Sequence, residues 1–443
     1  MSVLNRFRIS TFQVIVLGFV LLILTGSLLL MIPAASCEEG SAPFADCLFT
    51  ATSAVCVTGL VVRDTATSWT GLGQAIILVL IQIGGMGVVT VAASLAFISG
   101  RRIGLMQRSV MQEALSAPQV GGIVRLTRFI VTASLAIELT GALLLLPSFV
   151  GAFGWARGSW TAVFHSISAF CNAGFDLMGV RGAYSSLTSV SQEIPVNIVV
   201  ILLITVGGIG FLVWNDIREH GFHWSRYRLQ TRIVLCTSAV LVAVPALWFG
   251  LFELRDLPPE QRVLPAVFQS VTLRTAGFNT VDLGAVSDAG QVLMILWMLI
   301  GGSPGSTAGG LKTTTVAVLL LTAAAVFRRK DHVESHGRRI GEDVIRNAVA
   351  ILLMYMLLFM IGGFVISRVE GLPVRACLFE TASALGTVGL SLGLTPSLGP
   401  VSRAILILLM FWGRVGGLTL IYAAQQPYRV TNSVRPLEKV TVG

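Results

Sequence analysis

Residues 48–60 read LFTATSAVCVTGL, and the same pattern returns three times further along the chain. The other copies are VFHSISAFCNAGF at 163–175, VFQSVTLRTAGF at 267–278 and LFETASALGTVGL at 378–390. Each copy starts on an apolar residue and phenylalanine, continues with small and polar residues, and ends on glycine followed by leucine or phenylalanine. The aligned glycines lie 115, 103 and 112 residues apart, at Gly59, Gly174, Gly277 and Gly389. Repetition at so even a spacing predicts four copies of one structural unit.

The chain has the composition of a protein that crosses a membrane many times. Of its 443 residues 54% are apolar and 12% are charged, against about a quarter charged in soluble domains. Apolar runs that reach the roughly 20 residues needed to cross a bilayer lie at 11–31, 71–99, 126–150, 194–214, 231–252, 289–327, 345–366 and 401–424. The first run is longer than the apolar part of a secretory signal, so we expect it to remain as a span. The cysteines show no metal-binding spacing, and Cys37 and Cys47, which share one loop, either pair or stay free.

Each copy of the repeated pattern lies between two apolar runs, so the predicted unit is a span, a re-entrant segment and a second span. Two spans return the chain to its starting side, which gives all four units one orientation and lets them surround an axis along the membrane normal. In inverted-repeat transporters, by contrast, the repeats have opposite orientations in the membrane, so they do not fit this pattern. We therefore predict an all-α membrane protein with eight transmembrane helices in four parallel span/re-entrant loop/span repeats that surround a central pore with pseudo-fourfold symmetry. The repeats are 1–100, 101–222, 223–330 and 331–443, the last with a cytoplasmic tail.

The residues around each repeated glycine are predicted to bind the ion in this pore. If the polar segments are short helices that end at mid-membrane, their C-terminal ends, each with about half a negative charge, favour a cation. The extended backbone that follows can replace the ion's water shell with carbonyl oxygens, whereas ordinary extracellular loops would not repeat in register. Arg274 is expected to point behind this filter, towards an outer acid such as Glu380 or Asp282. The predicted filter comprises Val55, Cys56, Val57, Thr58, Gly59, Cys171, Asn172, Ala173, Gly174, Arg274, Thr275, Ala276, Gly277, Gly386, Thr387, Val388 and Gly389, with the cation at the four repeated glycines.

Residues 301–315 read GGSPGSTAGGLKTTT and come close to the phosphate-binding Walker A pattern. That pattern needs lysine directly after its second glycine, whereas Leu311 separates Gly310 from Lys312 here. The stretch lies inside the sixth apolar run, which as one helix would be close to 60 Å long, about twice the hydrocarbon thickness. We therefore predict a break there, and a movable intramembrane loop that gates the pore. The predicted gate comprises Gly301, Gly302, Ser303, Pro304, Gly305, Ser306, Thr307, Gly309, Gly310, Lys312 and Arg414.

Charged side chains within the spans are costly and usually face the interior with a partner. Arg414 can hold loop carbonyls with its five donors, although Arg414 and Lys312 can instead extend to the inner interface. Glu138, in the third apolar run, is a buried counter-charge whose partner the sequence does not specify.

The later span of each unit also carries a glycine cluster. Such glycines either let helices pack closely or widen the cavity below the filter, and the sequence does not separate the two. The clusters are Gly84-Gly85-Met86-Gly87, Gly207-Gly208-Ile209-Gly210, Gly301-Gly302, and Gly413 with Gly416-Gly417.

The distribution of charge predicts the orientation of the chain in the membrane. Loops on the side of the N-terminus hold 20 of the 31 lysine and arginine residues, and the opposite side holds nine. The positive-inside rule therefore puts both termini in the cytoplasm. The outer side carries 13 of the 22 acidic residues and attracts cations weakly. The basic inner face fits anionic membrane lipid or an acidic protein, and we expect no nucleic-acid partner.

The strings TSAVCVTGL, FCNAGFD, RTAGFNT, ALGTVGLSLGLTP and GGSPGSTAGGLKTTT resemble the Ktr/Trk/HKT superfamily of potassium transporters over essentially the whole chain. The eight spans resemble KtrB-type membrane subunits more than TrkH-type proteins, which have two further N-terminal helices. The resemblance implies a potassium-channel-like arrangement in which Gly59, Gly174, Gly277 and Gly389 are the filter glycines that bind K⁺. It also implies that 301–315 is the gate, contacted by Arg414. It also implies a homodimer in a bacterial plasma membrane, resting on a ring of cytoplasmic nucleotide-binding KtrA-type subunits.

The resemblance further bears on which ion is carried. All four filter positions are glycine, unlike plant relatives whose first one is serine and which prefer sodium, so potassium selectivity is implied. Two departures from the family pattern, Leu273 where threonine is usual and Cys171 where asparagine is common, can loosen selectivity or alter sodium dependence.

We expect a potassium uptake protein that is not an enzyme and needs no cofactor of its own, with K⁺ as the transported ion and Na⁺ as the alternative. One rival is a sodium-coupled or less selective monovalent cation transporter. A second is a secondary transporter of another solute, which is disfavoured because all four predicted repeats share one orientation. A third is a membrane enzyme using the near-Walker loop, which would need a metal-binding carboxylate nearby on the inner side, where the sequence offers none.

Overall fold

The computed structural model describes residues 10–38, 40–98, 103–117 and 119–424. Over these residues the chain is mostly helical, with one two-stranded antiparallel hairpin formed by β1 Glu334–Ser335 and β2 Arg338–Arg339. In chain order the α-helices are α1 Thr11–Leu30, α2 Phe44–Val55, α3 Thr65–Ser68, α4 Gly71–Met86, α5 Val88–Ile98, α6 Leu105–Ala114, α7 Ile123–Phe153, α8 Trp155–Phe170, α9 Ile194–Gly208, α10 Phe211–His220, α11 Leu229–Trp248, α12 Pro259–Thr272, α13 Asp288–Met298, α14 Thr313–Phe327, α15 Glu342–Glu370, α16 Val374–Gly386, α17 Pro400–Val415 and α18 Gly417–Ala424.

Four helical segments are by themselves long and apolar enough to cross a membrane. They are α1, α7, α15 and Leu229–Glu253, which is α11 extended by a π-helical turn. These helices expose large apolar side chains, for example Leu21 at 67% and Leu139 at 63%. Such surfaces suit lipid rather than water, which agrees with a multi-pass membrane protein.

Three of the predicted spans bend sharply instead of running straight. The angle between α4 and α5 is 96°, that between α9 and α10 is 94°, and that between α17 and α18 is 95°. Each bend falls on a glycine with positive φ, at Gly87 (86°), Gly210 (99°) and Gly416 (89°). Glycine enters this region without the steric penalty that other residues meet. The sequence analysis recorded these glycine clusters but did not predict the bends.

The sixth apolar run is broken, as its length predicted. Helix α13 ends at Met298 and α14 begins at Thr313. The residues between them form a short parallel bridge that pairs Ile300 with Leu311, so the chain leaves the helix and returns beside its point of departure. We refer to residues 299–312 as the intramembrane loop.

The four repeated segments form the centre of the molecule. Helices α2, α8, α12 and α16 contain the first residues of the four copies. The phenylalanine at the second position of each copy is 0% exposed, at Phe49, Phe164, Phe268 and Phe379. Each of these short helices packs against the long helix that precedes it in the chain. The aligned phenylalanines of the sequence pattern are therefore part of the buried core.

The six cysteines are all free thiols. Cys37 is exposed, whereas Cys47 is buried and its thiol donates to the carbonyl oxygen of Ala42 at 3.7 Å. Of the two alternatives for the shared loop, the structure has the unpaired one.

Candidate functional site

The four short helices end directly before the four repeated glycines. Helix α2 ends at Val55 and α8 ends at Phe170, each four residues before its glycine, while α12 ends at Thr272 and α16 at Gly386. The C-terminal ends carry partial negative charge. Four such ends therefore meet at one place in the centre of the fold, where a cation would be stabilised.

The backbone after each helix repeats the same unusual conformation. The residue two positions before each glycine has positive φ: Val57 (49°), Asn172 (57°), Thr275 (63°) and Thr387 (51°). The glycines follow with positive φ as well: Gly59 (88°), Gly174 (70°), Gly277 (80°) and Gly389 (94°). A residue with a side chain pays about 1–3 kcal/mol for such a conformation. Its recurrence at four equivalent positions shows that the surrounding structure holds these segments in place.

The four glycines form a closed ring, which we call the glycine ring. A Cβ atom added to each glycine would overlap the carbonyl of the residue that precedes the next glycine, and would touch that glycine as well. The order is cyclic: Gly59 meets Ala173 and Gly174, Gly174 meets Ala276 and Gly277, Gly277 meets Val388 and Gly389, and Gly389 meets Thr58 and Gly59. Both the φ angles and the space therefore require glycine at these positions.

A hydroxyl group in each short helix holds the segment that follows it. The Ser53 hydroxyl accepts from the Gly59 N–H at 3.1 Å, and the Ser383 hydroxyl accepts from the Gly389 N–H at 3.0 Å. Ser168 donates to the Phe175 carbonyl at 2.7 Å, and Thr272 donates to the Phe278 carbonyl at 2.5 Å. These four residues were not predicted to be functional, although each occupies the sixth position of the repeated pattern, where serine or threonine recurs in all four copies.

Arg274 is buried beside the third segment at 5% exposure. It does not pair with either of the predicted acids. The Glu380 carboxylate accepts from the Ser391 and Thr395 hydroxyls and from the Leu392 N–H, all on its own loop, and Asp282 accepts from the Gly284 N–H. Within the described residues, Nε and Nη2 of Arg274 have no hydrogen-bond partner. The expected ion pair is therefore wrong, because both carboxylates are engaged locally.

The intramembrane loop contacts the units on either side of it. The N–H groups of Ser303 and Thr307 donate to the carbonyls of Gly208 and Gly207 in the second unit, at 3.0 and 3.3 Å, and the Thr307 hydroxyl donates to the Phe170 carbonyl at 3.2 Å. In the fourth unit the Gly413 carbonyl accepts from the Gly310 N–H at 3.1 Å. The loop is thereby hydrogen-bonded to the end of helix α8 and to the glycine clusters of the neighbouring spans.

Arg414 joins the loop to the first unit. Its guanidinium donates to the Thr307 carbonyl, and through Nη2 to the carbonyls of Gly84 and, at 2.9 Å, Gly85. Lys312 turns back on its own loop, and its ammonium donates to the Ala308 carbonyl at 2.8 Å. Both cations thus bind loop carbonyls and do not extend away from the loop.

Glu138 meets neither of these cations. Its two carboxylate oxygens accept from the Gln82 amide at 2.9 and 3.0 Å, and the Cys171 thiol lies 3.9 Å from one of them. The backbone carbonyl of Glu138 accepts from the Ser166 hydroxyl at 2.6 Å. The carboxylate therefore contacts the second segment through the Cys171 thiol and is held in place by the Gln82 amide.

The glycine clusters of the later spans pack against the ends of the short helices. An added Cβ would overlap the Val55 carbonyl if placed at Gly84, the Phe170 carbonyl at Gly207 and the Leu385 carbonyl at Gly413. Of the two interpretations of these clusters, close packing is the one that the contacts support.

A cavity of about 430 Å³ adjoins the ring, and no residue of the intramembrane loop lines it. Its walls include the four ring glycines together with Asp64 and Asp176. Asp64 is engaged by the N–H groups of Ala66, Thr67 and Tyr184. Loss of surrounding water raises the pKa of Asp176 to about 7, with a smaller upward effect from the Asp64 charge and an opposing one from the Met178 N–H. This carboxyl group therefore changes charge near neutral pH at the entrance to the ring.

Asp216, Glu219 and His220 bring three potential metal ligands within 4.8 Å of one another on α10. The Asp216 carboxylate already accepts from the Arg228 N–H at 2.9 Å and lies 3.2 Å from the His220 ring. These contacts account for the arrangement, and we assign no metal to it.

Comparison with known proteins decides the family. Residues 6–430 match the family model described as TrkH, cation transport protein. The chain belongs to the TrkH family. This confirms the resemblance that the repeated motifs indicated.

Several known proteins are similar to this chain over nearly its whole length. The potassium/sodium uptake protein NtpJ of Enterococcus hirae is 38% identical, covering 94% of this chain and 93% of that protein. The Ktr system potassium uptake protein B of Bacillus subtilis is also 38% identical, with 95% and 94% covered. The crystal structure of the potassium transporter TrkH from Vibrio parahaemolyticus aligns with a TM-score of 0.75 at 20% identity, covering 95% of this chain and 85% of that one. The last similarity shows that the two proteins share a fold.

Proposed function

We propose that this chain is the membrane subunit of a potassium uptake system, and that K⁺ passes through the glycine ring without its water shell. The single observation that carries the proposal is the ring itself. Four segments from different parts of the chain meet there with the same backbone conformation and with helix C-terminal ends behind them. Backbone carbonyls around such a ring can replace the hydration of a monovalent cation.

The choice of K⁺ rests on the relatives and on the ring residues. The Bacillus subtilis relative is named a potassium uptake protein, and the resemblance drawn from the motifs associates four filter glycines with potassium selectivity. A less selective or sodium-coupled cation transporter is the second candidate. It is favoured by the name of the Enterococcus hirae relative, a potassium/sodium uptake protein, and by the departures at Cys171 and Leu273.

The intramembrane loop is the proposed gate. It is hydrogen-bonded to the glycine clusters of the neighbouring spans, and Arg414 links its Thr307 carbonyl to the carbonyls of Gly84 and Gly85. Release of these contacts would let the loop move aside. Inward flow then needs no further energy source, because the membrane potential supplies about 2.3 kcal/mol per charge per 100 mV.

The remaining organisation is proposed from the sequence and the family. Eight spans would form four units, provided that each bent pair and the broken sixth run count as one span each. Both termini would lie in the cytoplasm of a bacterial cell, and a homodimer would rest on a ring of KtrA-type nucleotide-binding subunits. The named Ktr systems among the relatives support a regulatory partner of this kind.

Cation flux into proteoliposomes tests the proposed filter. We expect the purified wild-type chain to favour K⁺ over Na⁺ under an inside-negative potential, and Gly277→Ser to lose most of that preference. The reason is that serine at this position would have to adopt a φ of 80° and its Cβ would overlap the Val388 carbonyl. Gly71→Ser is the matched control, since an added Cβ at Gly71 has no neighbour within 4 Å. Unchanged selectivity in a monodisperse, folded Gly277→Ser protein would refute the proposed filter.

If the chain conducts no cation without its partner subunit, neither the wild type nor Gly277→Ser would show flux, so a third variant is needed. Deletion of residues 303–310 removes the part of the loop that contacts the second unit. An ungated pore should conduct without any partner, and we expect flux from the deletion variant in that case. A folded deletion variant that conducts no cation contradicts the proposed function.

A further inference from the structure

Five arginines line one cavity that is separate from the glycine ring and shares no lining residue with it. The cavity has a volume of about 1250 Å³ and lies between the first turns of α7, helix α10, the start of α11 and strand β2. Its arginines are Arg125, Arg128, Arg218, Arg228 and Arg338. One carboxylate, Glu219, is also part of the lining, and its oxygen accepts from the Asn215 amide at 2.8 Å. Five positive charges thus face one negative charge that is already hydrogen-bonded.

The positive charges of this arginine cavity are not neutralised by ion pairs within the described residues. None of the five arginines is among the residues whose guanidinium lies within 4.0 Å of a carboxylate. Arg218 is fixed by a different contact, since its guanidinium lies 4.6 Å from the centre of the Phe129 ring. Stacking of this kind orients the planar group and leaves its N–H donors available to an anion.

The backbone adds to the positive potential in the same cavity. Helix α7 is 31 residues long, and no side chain caps its N-terminus or places an acid in its first turn. Gly122, with φ at 77°, and Gly121 precede it, and an added Cβ at either would have no neighbour within 4 Å. The Ile123 N–H donates to the Val120 carbonyl at 3.4 Å, whereas the N–H groups of Val124 and Arg125 have no partner within the described residues. These two groups are open to an approaching anion, and the helix dipole contributes about half a positive charge there.

The cavity lies at the level where the membrane surface is expected. Arg125 and Arg128 directly precede the apolar part of α7, and arginines at such positions mark the boundary of the hydrocarbon region. The cavity wall also contains Leu126 and Phe129, so polar and apolar surfaces adjoin. Basic pockets between transmembrane helices at this depth suit phosphate head groups.

We propose that the arginine cavity is a binding site for a phosphate-bearing ligand. Guanidinium groups bind phosphate oxygens in pairs, and the open N–H groups of α7 provide further donors for the same anion. The phosphate can come from the head group of an anionic phospholipid that enters from the membrane, or from a soluble polyphosphate that enters from the water. The site is separate from the ring and does not depend on the ion that passes through it.

Two probes tell the sources apart, and both are used on the full-length protein. Retention of phosphatidylglycerol is measured by native mass spectrometry after reconstitution in mixed phosphatidylcholine bilayers, and binding of inorganic pyrophosphate is measured by titration calorimetry. The test variant combines Arg125→Gln, Arg128→Gln and Arg228→Gln. The control loses the same charge at exposed sites outside the cavity, in Arg108→Gln, Arg328→Gln and Arg346→Gln.

We expect the wild type and the control to bind at least one probe with the same affinity within twofold, and the test variant to bind it at least tenfold more weakly. Gly121→Glu provides a second test, because its carboxylate would occupy the open space at the start of α7 without steric overlap. We expect it to weaken binding in the same way while the protein stays folded. Equal binding by the test and control variants, or no binding of either probe to the wild type, overturns the proposal.

Discussion

At the residue scale, Arg414 connects parts of the chain that are far apart in sequence. Its donors reach the carbonyls of Gly84 and Gly85, some 330 positions away, and that of Thr307, which belongs to the intramembrane loop. A hydrogen bond to a charged group contributes about 1.5–3 kcal/mol. One side chain can therefore decide how long the loop stays in place.

Arg414→Met removes these donors and keeps the length of the side chain. We expect K⁺ influx without any partner subunit to rise roughly tenfold or more, because about 1.4 kcal/mol corresponds to a factor of ten in the position of an equilibrium. Flux into proteoliposomes measures the change, with the exposed Arg346→Met as control. If Arg414→Met conducts no more than the control, Arg414 does not hold the gate.

Asp176 predicts a dependence on pH at the entrance to the ring. With its pKa raised to about 7, the carboxyl group is neutral at lower pH and negative at higher pH, where it attracts cations. We expect K⁺ influx at low K⁺ concentration to increase as the pH on that side rises through 7. Asp176→Asn should lose this increase while its influx at low pH matches that of the wild type. A wild-type influx that does not change between about pH 6 and pH 8 contradicts the assignment.

Single residues also show where reading the sequence succeeds. The ring glycines could be predicted because four copies of one pattern share them, whatever each copy contains elsewhere. The hydroxyls of Ser53, Ser168, Thr272 and Ser383 were equally accessible in the same alignment. By contrast, the partner of Arg274 could not be predicted, since Glu380 is satisfied by its own loop and only the folded loop reveals this.

At the element scale, helix length and apolar composition predicted most of the segments, and bends were the main omission. The sixth run was too long to be one helix, so its break could be predicted by comparing its length with the thickness of the bilayer. The bends at Gly87, Gly210 and Gly416 fall in runs of ordinary length, where glycine is compatible with a straight helix. Their cause is tertiary, since the glycines before them pack against the ends of the short helices.

Three glycine-to-alanine variants separate conformation from packing in these elements. At Gly416 only the positive φ of 89° opposes alanine, because its Cβ would have one neighbour, at 3.9 Å. At Gly84 the Cβ would overlap the Val55 carbonyl. We expect thermal unfolding of the detergent-solubilised protein to show a lower Tm for Gly416→Ala, which corresponds to a loss of about 1 kcal/mol or somewhat more in the free energy of unfolding. For Gly84→Ala we expect a much larger loss of the same free energy. Gly71→Ala should be neutral, and a Gly84→Ala protein as stable as this control would contradict the packing.

At the scale of the whole molecule, the function depends on contacts that no single unit contains. Each ring glycine would meet another unit if it carried a Cβ. The intramembrane loop is hydrogen-bonded to the second and fourth units, and Arg414 of the fourth links it to the first. Sequence periodicity predicted that four units exist and share an orientation. It could not give the cyclic order of the ring or the contacts of the loop, because both arise only when the units assemble.

Anomalous X-ray diffraction from crystals of the protein grown with Tl⁺ in place of K⁺ tests the central claim most directly. Tl⁺ resembles K⁺ in size and charge, and its anomalous signal locates it without reference to the protein. The account predicts a peak on the axis of the glycine ring, within bonding distance of carbonyl oxygens from all four segments. A ring without such a peak, in protein that still carries Tl⁺ across liposome membranes, would show that the ions take another path.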